Sequence, residues 1–334
     1  MKNAIHPRIR ILAAIVLLIF GTIVPAVGYM RVQYRVQQKT NAKLNDITNE
    51  HVYELTHRLE AYRDVLYSTR GLFAAAEVND SVWDRFISNQ SLSKRYPGMQ
   101  AAAYARVVTQ QEADAFERQM QNQMGASNFV IHPRKNSGDY VLITFHKETS
   151  SILTGRQSMG LDIASDAIRQ EALMRSQKTG DIIATAPIKL ATLHKTGFFL
   201  VTPVNNINGQ QSDKPQGYVA AVFDVENLVN ASMADRLNRY KTSMSIADVT
   251  DGKNNVFYKL AYPATGKTLQ SSTTVDVGGR QWRITFNAPA SDLLALLDRV
   301  APIFMIVSTT MFVALIGTAT YALRMRRKLR QGQS

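Results

Sequence analysis

Two uncharged apolar runs frame this chain and decide what the rest of it can be. Twenty residues lie between Arg10 and Arg31 (ILAAIVLLIFGTIVPAVGYM) and twenty-four between Arg299 and Arg324 (VAPIFMIVSTTMFVALIGTATYAL). A helix needs about 20 mostly apolar residues to cross a bilayer. The expectation is two transmembrane helices, residues 11–30 and 300–323, around one large soluble segment. A cleaved leader would also start basic and continue apolar. The first run is longer than a leader's apolar core and no small-x-small cleavage site follows it, so an uncleaved anchor is expected. Pro25, near its outer end, is tolerable in a membrane helix.

Charge orients the two runs, because basic residues near span ends stay on the cytoplasmic side. Lys2, Arg8 and Arg10 precede the first run, and Arg324, Arg326, Arg327, Lys328 and Arg330 follow the second, with no acid in either tail. These eight account for most of the net charge of +13, and residues 31–299 carry only +5. Both termini, residues 1–10 and 324–334, are expected in the cytoplasm, with the main domain periplasmic or extracytoplasmic on a cell inner membrane. The Arg/Lys cluster at 324–330 reads as a membrane anchor beside lipid headgroups. No cytoplasmic basic domain is left for nucleic acid, so no nucleic-acid partner is expected.

Catalytic signals are missing. There is no cysteine, hence neither a disulfide nor a thiol nucleophile, which suits an exported domain large enough to be held by its core. The six histidines form no HxxxH or HExxH pair, and no GxSxG, Walker loop or dinucleotide fingerprint is present. The chain is expected to be no enzyme, with no metal and no cofactor.

The soluble segment begins with a long helix. Leu44, Ile47, His51, Leu55, Leu59, Tyr62, Leu66, Thr69 and Phe73 step by three or four, which is one helical face. Residues 31–75 are therefore read as a stalk lying against its own domain or against a second copy. Asn79 or Asp80 can cap the next helix, VWDRFI. MQAAAYARVV, NFVIHP and DYVLITFHKE read as strands, and the helix between the first two is expected to stop at Gly125. A helix from about Ser165 to Gln177 closes at Thr179–Gly180. Strands DIIAT, PIKL and GFFLVTPV follow, then a central strand, QGYVAAVFDV, and a helix, ENLVNASMADRLNRY. Beyond it, strands alternate with turns at Asp251-Gly252 and Gly278-Gly279. The fold class is α+β, with two mainly antiparallel sheets divided near residues 224–242.

GLFAA (Gly71–Ala75), VWDRFI, RYPGMQA (Arg95–Ala101), MGLDIASDAIRQEAL (Met159–Leu173), KTG, APIKL, FLVTPV and YVAAVFDVENLV stand in an order that resembles the CHASE domain. That family comprises extracytoplasmic sensory modules of histidine kinases, diguanylate cyclases and plant cytokinin receptors. The resemblance implies two PAS-like mixed sheets: a membrane-distal one within a CHASE domain at 69–229 and a membrane-proximal one at 230–290. It also implies a small extracytoplasmic ligand, a homodimer, and a ligand pocket at Thr185, Pro187, Leu190, Leu200, Val201, Thr202 and Tyr218. The chain departs from the cytokinin receptors where they hold the adenine ring. Their Asp is Ile168 here, and a pocket Thr is Val201, which makes cytokinin an unexpected ligand and the pocket more apolar. Arg156, Asp162 and Arg169 lie near the same block, either as an arginine fork for a ligand carboxylate or as a cap and ordinary ion pairs.

Residues 324–334 hold neither a kinase nor a cyclase. The expected function is a membrane-anchored ligand sensor that signals through a partner histidine kinase or diguanylate cyclase. The competing readings are a structural or adaptor envelope protein without a small ligand, and a fragment of a longer receptor.

Overall fold

The structure is a computed structural model that describes residues 7–124, 129–149, 158–190, 195–205, 214–263, 266–293 and 296–331. It opens with one helix, α1 (Pro7–Ala75), which carries both the first apolar run and the stalk. All nine residues of the stalk face, Leu44 through Phe73, are buried within the single chain. That burial packs the face of residues 47–73 against the chain's own domain. Tyr62 meets Phe223 in a tilted ring contact at 4.9 Å and donates its hydroxyl proton to the Pro97 carbonyl. Phe73 lies flat on Tyr104 at 3.8 Å. His51 rests on Phe286 at 5.4 Å and bonds through Nδ1 to the Ile47 carbonyl.

Two short helices follow, α2 (Asp80–Asn89) and α3 (Leu92–Arg95). The Asn79 carboxamide caps α2 by accepting from the Val82 N–H at 3.0 Å. The larger sheet is built from β1 (Met99–Val108), β2 (Tyr140–Glu148), β3 (Ile183–Ala184), β4 (Ile188–Lys189), β5 (Thr196–Val204) and β6 (Gly217–Asp224). Its order is β2-β1-β6-β5-β3, with β4 also paired to β5, and the pairs are antiparallel. Helices α4 (Ala113–Met124) and α5 (Ala167–Thr179) pack on the face away from α1, where Phe116, Met120, Ala172 and Leu173 join one apolar core with the sheet. The expected stop of α4 at Gly125 lies outside the described residues.

Helix α6 (Val225–Arg239) leads to the smaller sheet, β7 (Ser243–Asp248), β8 (Asn255–Leu260), β9 (Thr268–Val277) and β10 (Arg280–Pro289), in the order β8-β7-β10-β9. The larger sheet ends at Asp224 and the smaller begins at Ser243, with α6 between them. Gly278 and Gly279 turn β9 into β10 with φ of 57° and 76°. Both central positions of such a turn require the left-handed region, where glycine is unstrained. A Cβ on Gly278 would stand 2.6 Å from the Ala184 nitrogen, whose N–H donates to the Gly278 carbonyl at 2.9 Å. The turn is thereby joined to β3.

One expected strand is absent. NFVIHP forms only an isolated bridge between His132 and Leu161 among the described residues. The Ile131 N–H is taken by the Glu117 carboxylate at 2.7 Å, the His132 N–H by the Gly160 carbonyl, and Pro133 has no N–H to extend a ladder. Past β10, α7 (Ala290–Leu293) and α8 (Leu296–Gln331) carry the second apolar run. Within α8, Ile306–Arg326 is the one helical stretch among the described residues long and apolar enough to cross a membrane, and it is unburied. The first run is helical throughout, with the side chains of residues 7–22, 24 and 25 outside the described part.

By compactness the chain divides into two units, one of residues 1–46, 264–269 and 288–334 and the other of 47–263 and 270–287. The second holds the larger sheet, and with it the candidate site.

Candidate ligand cavity over the larger sheet

Side chains alternate between the faces of a strand, and in the larger sheet the two faces have opposite characters. Toward α1 point Tyr104, Phe145, Phe198 and Phe223. They form one aromatic layer with Phe73, Tyr62 and Trp83, and Phe198 carries it on to Trp282 of β10 at 4.8 Å. Toward α5 point Ala101, Ala103 and Ala105 of β1 and Ala220 of β6, and above them a cavity of about 510 Å³ opens. Methyl groups cannot fill the space that aromatic rings fill on the other face.

Register fixes the rows of this floor. His146, Ala103, Ala220 and Val201 stand side by side across β2, β1, β6 and β5; Glu148, Ala101, Val222 and Phe199 form the next row. The wall at β4 is Pro187, Ile188, Lys189 and Leu190. The roof is Leu161, Ile163 and the first turn of α5, with Asp166, Ile168 and Arg169. Asp166 caps α5 by accepting from the Arg169 N–H at 3.0 Å.

His146 and Glu148 reach the cavity because of a β-bulge. Ile143 faces the cavity, and strict alternation would send Phe145 and Lys147 there after it. The register shifts between Tyr104 and Ala105, leaving Thr144 as the extra residue of β2. Phe145 consequently joins the aromatic face, Lys147 pairs with Asp84 of α2 at 2.9 Å, and His146 and Glu148 turn to the cavity.

The seven residues expected from the sequence separate by face. Pro187 and Leu190 line the cavity. Val201 and Tyr218 belong to the packed core on the cavity side without lining it, and the Tyr218 hydroxyl meets Gln177 of α5 at 3.3 Å. Thr185 is fully buried and its hydroxyl accepts from the Phe199 N–H at 2.9 Å. Leu200 and Thr202 stand on the α1 face by alternation, and the Thr202 hydroxyl accepts from Arg70 of α1 at 3.3 Å. The structure therefore brings together two of the seven at the cavity. The alanine floor, Phe199, His146 and Glu148 were not singled out from the sequence. The alternating alanines of AAAYA were the available signal for the floor, whereas nothing local announces the bulge.

Electrostatics follow burial. His146 is mostly buried without a compensating acid, and its pKa falls to about 4, so it is neutral at pH 7. Burial raises the Glu148 carboxyl above its usual range. Burial lowers the Arg169 guanidinium, an effect opposed by the charges of Asp166 and Asp162. Arg169 sits 3.7 Å from Asp166 and 5.8 Å from the Phe199 ring centroid. Asp162 is not at the cavity: it caps the turn at Ala164, accepts from the Val141 N–H and pairs with Lys135 at 2.7 Å. Asp162 thus serves as a cap and ion-pair partner, whereas Arg169 lines the cavity with its buried Nε making no hydrogen bond; Arg156 lies outside the described residues.

The far end of the roof helix is tied down twice. Arg70 of α1 donates to the Gly180 carbonyl, at the C-terminus of α5, at 3.1 Å. Arg175 of α5 donates to the Gly279 carbonyl in the β9–β10 turn at 3.0 Å. Glu171 adds a longer contact to Arg280, which itself pairs with buried Asp248 at 2.7 Å.

A stalk helix, two antiparallel sheets and a ligand-sized cavity under a tethered helix describe a sensory module. The CHASE domain family model matches residues 76–258, more than half of the chain, and the chain belongs to that family. Among curated proteins it is similar to "Probable histidine kinase 4" of Oryza sativa subsp. japonica, 25% identical over 195 residues, covering 54% of this chain and 18% of that protein. It is also similar to "Histidine kinase 3" of Arabidopsis thaliana, 23% identical over 176 residues, covering 46% and 16%. The chain thus spans under a fifth of the length of these relatives. Among solved structures, the ligand-binding domain of the Pseudomonas fluorescens chemoreceptor CtaA with L-serine aligns at a TM-score of 0.45, with 12% identity and coverage of 76% and 99%. The Pseudomonas aeruginosa chemoreceptor PctB with L-Arg aligns at 0.43, with 11% identity and coverage of 76% and 97%.

Proposed function

We propose that this chain is a membrane-anchored extracytoplasmic sensor that binds a small ligand in the cavity over the alanine floor. The observation that carries the reading is the cavity itself. Its volume of about 510 Å³ falls in the range of small-molecule sites, and its roof helix is tied at the other end to both α1 and the β9–β10 turn. A ligand that favours one placement of α5 shifts α1 and β10 with it, provided it binds that placement more tightly. Pro187 and Leu190 contact the ligand; Thr202 serves the tether through Arg70, while Thr185, Leu200, Val201 and Tyr218 brace the sheet beneath.

In this reading residues 11–30 and 300–323 are the two spans, both termini are cytoplasmic, and the two sheets are PAS-like subdomains of one periplasmic domain. The stalk also mediates a homodimer, and the receiving protein is a histidine kinase or diguanylate cyclase. The cavity reading is tested by melting the full-length protein, in detergent, against a metabolite panel. A native-state ligand raises Tm by mass action. At least one compound is expected to raise Tm of the wild type and not of Ala103→Leu, which fills the floor. A panel in which every shift survives that substitution removes the cavity from the function.

A further inference from the structure

The charged groups around the cavity are unequally satisfied. Arg169, on the roof, lies 3.7 Å from Asp166 and its buried Nε makes no hydrogen bond, and Lys189 is exposed to solvent. Glu148 is half-buried, and no hydrogen bond or ion pair to it is present among the described residues. The neighbouring Lys147 points through the bulge to the other face, where Asp84 takes it. His146, one row away on the same face, has a buried Nδ1 with no partner. Residues two apart on a strand are about 6.5 to 7 Å apart. A carboxylate and a neutral imidazole therefore stand together at one edge of an apolar floor, both able to accept and neither engaged.

Leaving a carboxylate half-desolvated without a cation is unfavourable, and a group of opposite charge with N–H donors relieves it. An anionic head would meet the Glu148 charge, and a neutral head would leave that charge uncompensated. Resting on the cavity as the ligand site, we infer that the ligand is a small organic amine, or a similar N–H-bearing cation, with an apolar body. Its head is held by Glu148 and His146 at the β2 edge, and its body lies over Ala101, Ala103 and Ala220 toward Phe199.

The test titrates the full-length protein in detergent with 2-phenylethylamine and its matched 2-phenylethanol and phenylacetate, reading Tm and calorimetric affinity. The amine is expected to bind at least about tenfold more tightly than either match, and Glu148→Gln to lose about tenfold or more for the amine alone. Those figures correspond to one hydrogen bond to a charged group. Equal or better binding of phenylacetate or the alcohol, unchanged amine binding by Glu148→Gln, or no binding by any of the three overturns the assignment. The metabolite panel separates this failure from that of the cavity. Neutral or anionic compounds whose shifts are lost in Ala103→Leu but kept in Glu148→Gln overturn the amine and leave the cavity standing.

Discussion

The two faces of the larger sheet are made by the same four central strands and are packed in opposite ways. Toward α1, rings fill the space: Phe223 meets Tyr62 and Phe198, and Phe73 lies on Tyr104. Toward α5, methyl groups leave it open. Ala102 and Ala103 are adjacent in sequence and equally buried, yet one faces the packed side and the other the cavity. The comparison teaches that burial alone does not distinguish a position packed against rings from one that floors an open cavity; what stands opposite the side chain does.

The largest expected effect comes from breaking the filled face. Phe223→Ala should cost about 3 to 5 kcal/mol, the usual range for a buried aromatic, seen as a large fall in Tm whether or not ligand is present. Next comes the adjacent alanine pair. Ala102→Leu should overpack the α1 face and cost about 1 to 3 kcal/mol, whereas Ala103→Leu should leave unliganded Tm nearly unchanged and abolish ligand-dependent stabilisation. Equal loss of Tm in the two variants would mean that the faces do not differ as described.

A pH series sharpens the comparison further. The folded pKa of His146 is depressed to about 4 from an ordinary 6.5. The unfolded chain therefore binds a proton that the folded one refuses. Its contribution to stability is fully present above pH 6.5 and is lost as pH falls toward 4. His146→Gln should flatten the stability profile over that window, measured by urea unfolding at each pH. Arg70→Ala should be milder, costing about 1 kcal/mol through its two hydrogen bonds, with ligand-induced change in α1 weakened more than ligand affinity. Smallest is Glu148→Gln without ligand. The raised carboxyl pKa makes the folded state bind the proton more readily, so its penalty is absent below the unfolded pKa and present above the folded one. The variant should gain slight stability at pH 7 and none at pH 3.

Much of the fold was legible locally. The nine-residue apolar face of the stalk, the Asn79 cap, the Gly278-Gly279 turn and the helix stop at Gly180 each depend on interactions within a few residues, which the sequence carries directly. NFVIHP was misread because its N–H groups are claimed by Glu117 and Gly160, partners that no local pattern reveals. The site was legible only in part. Of the seven residues that the resemblance implied, Pro187 and Leu190 line the cavity, but a near-continuous apolar strand such as GFFLVTPV does not say which of its faces is open.

By itself, the sequence determined the apolar run at 300–323, the stalk, the two-sheet α+β plan and the family, because these follow from length, periodicity, turn chemistry and ordered motifs. Only the tertiary structure decided which face of the larger sheet is hollow and which groups edge it. One extra residue at Thr144 reverses every side chain after it, since the strand period is two. His146 and Glu148 are at the cavity for that reason alone, and the bulge that places them is a property of how β2 pairs with β1.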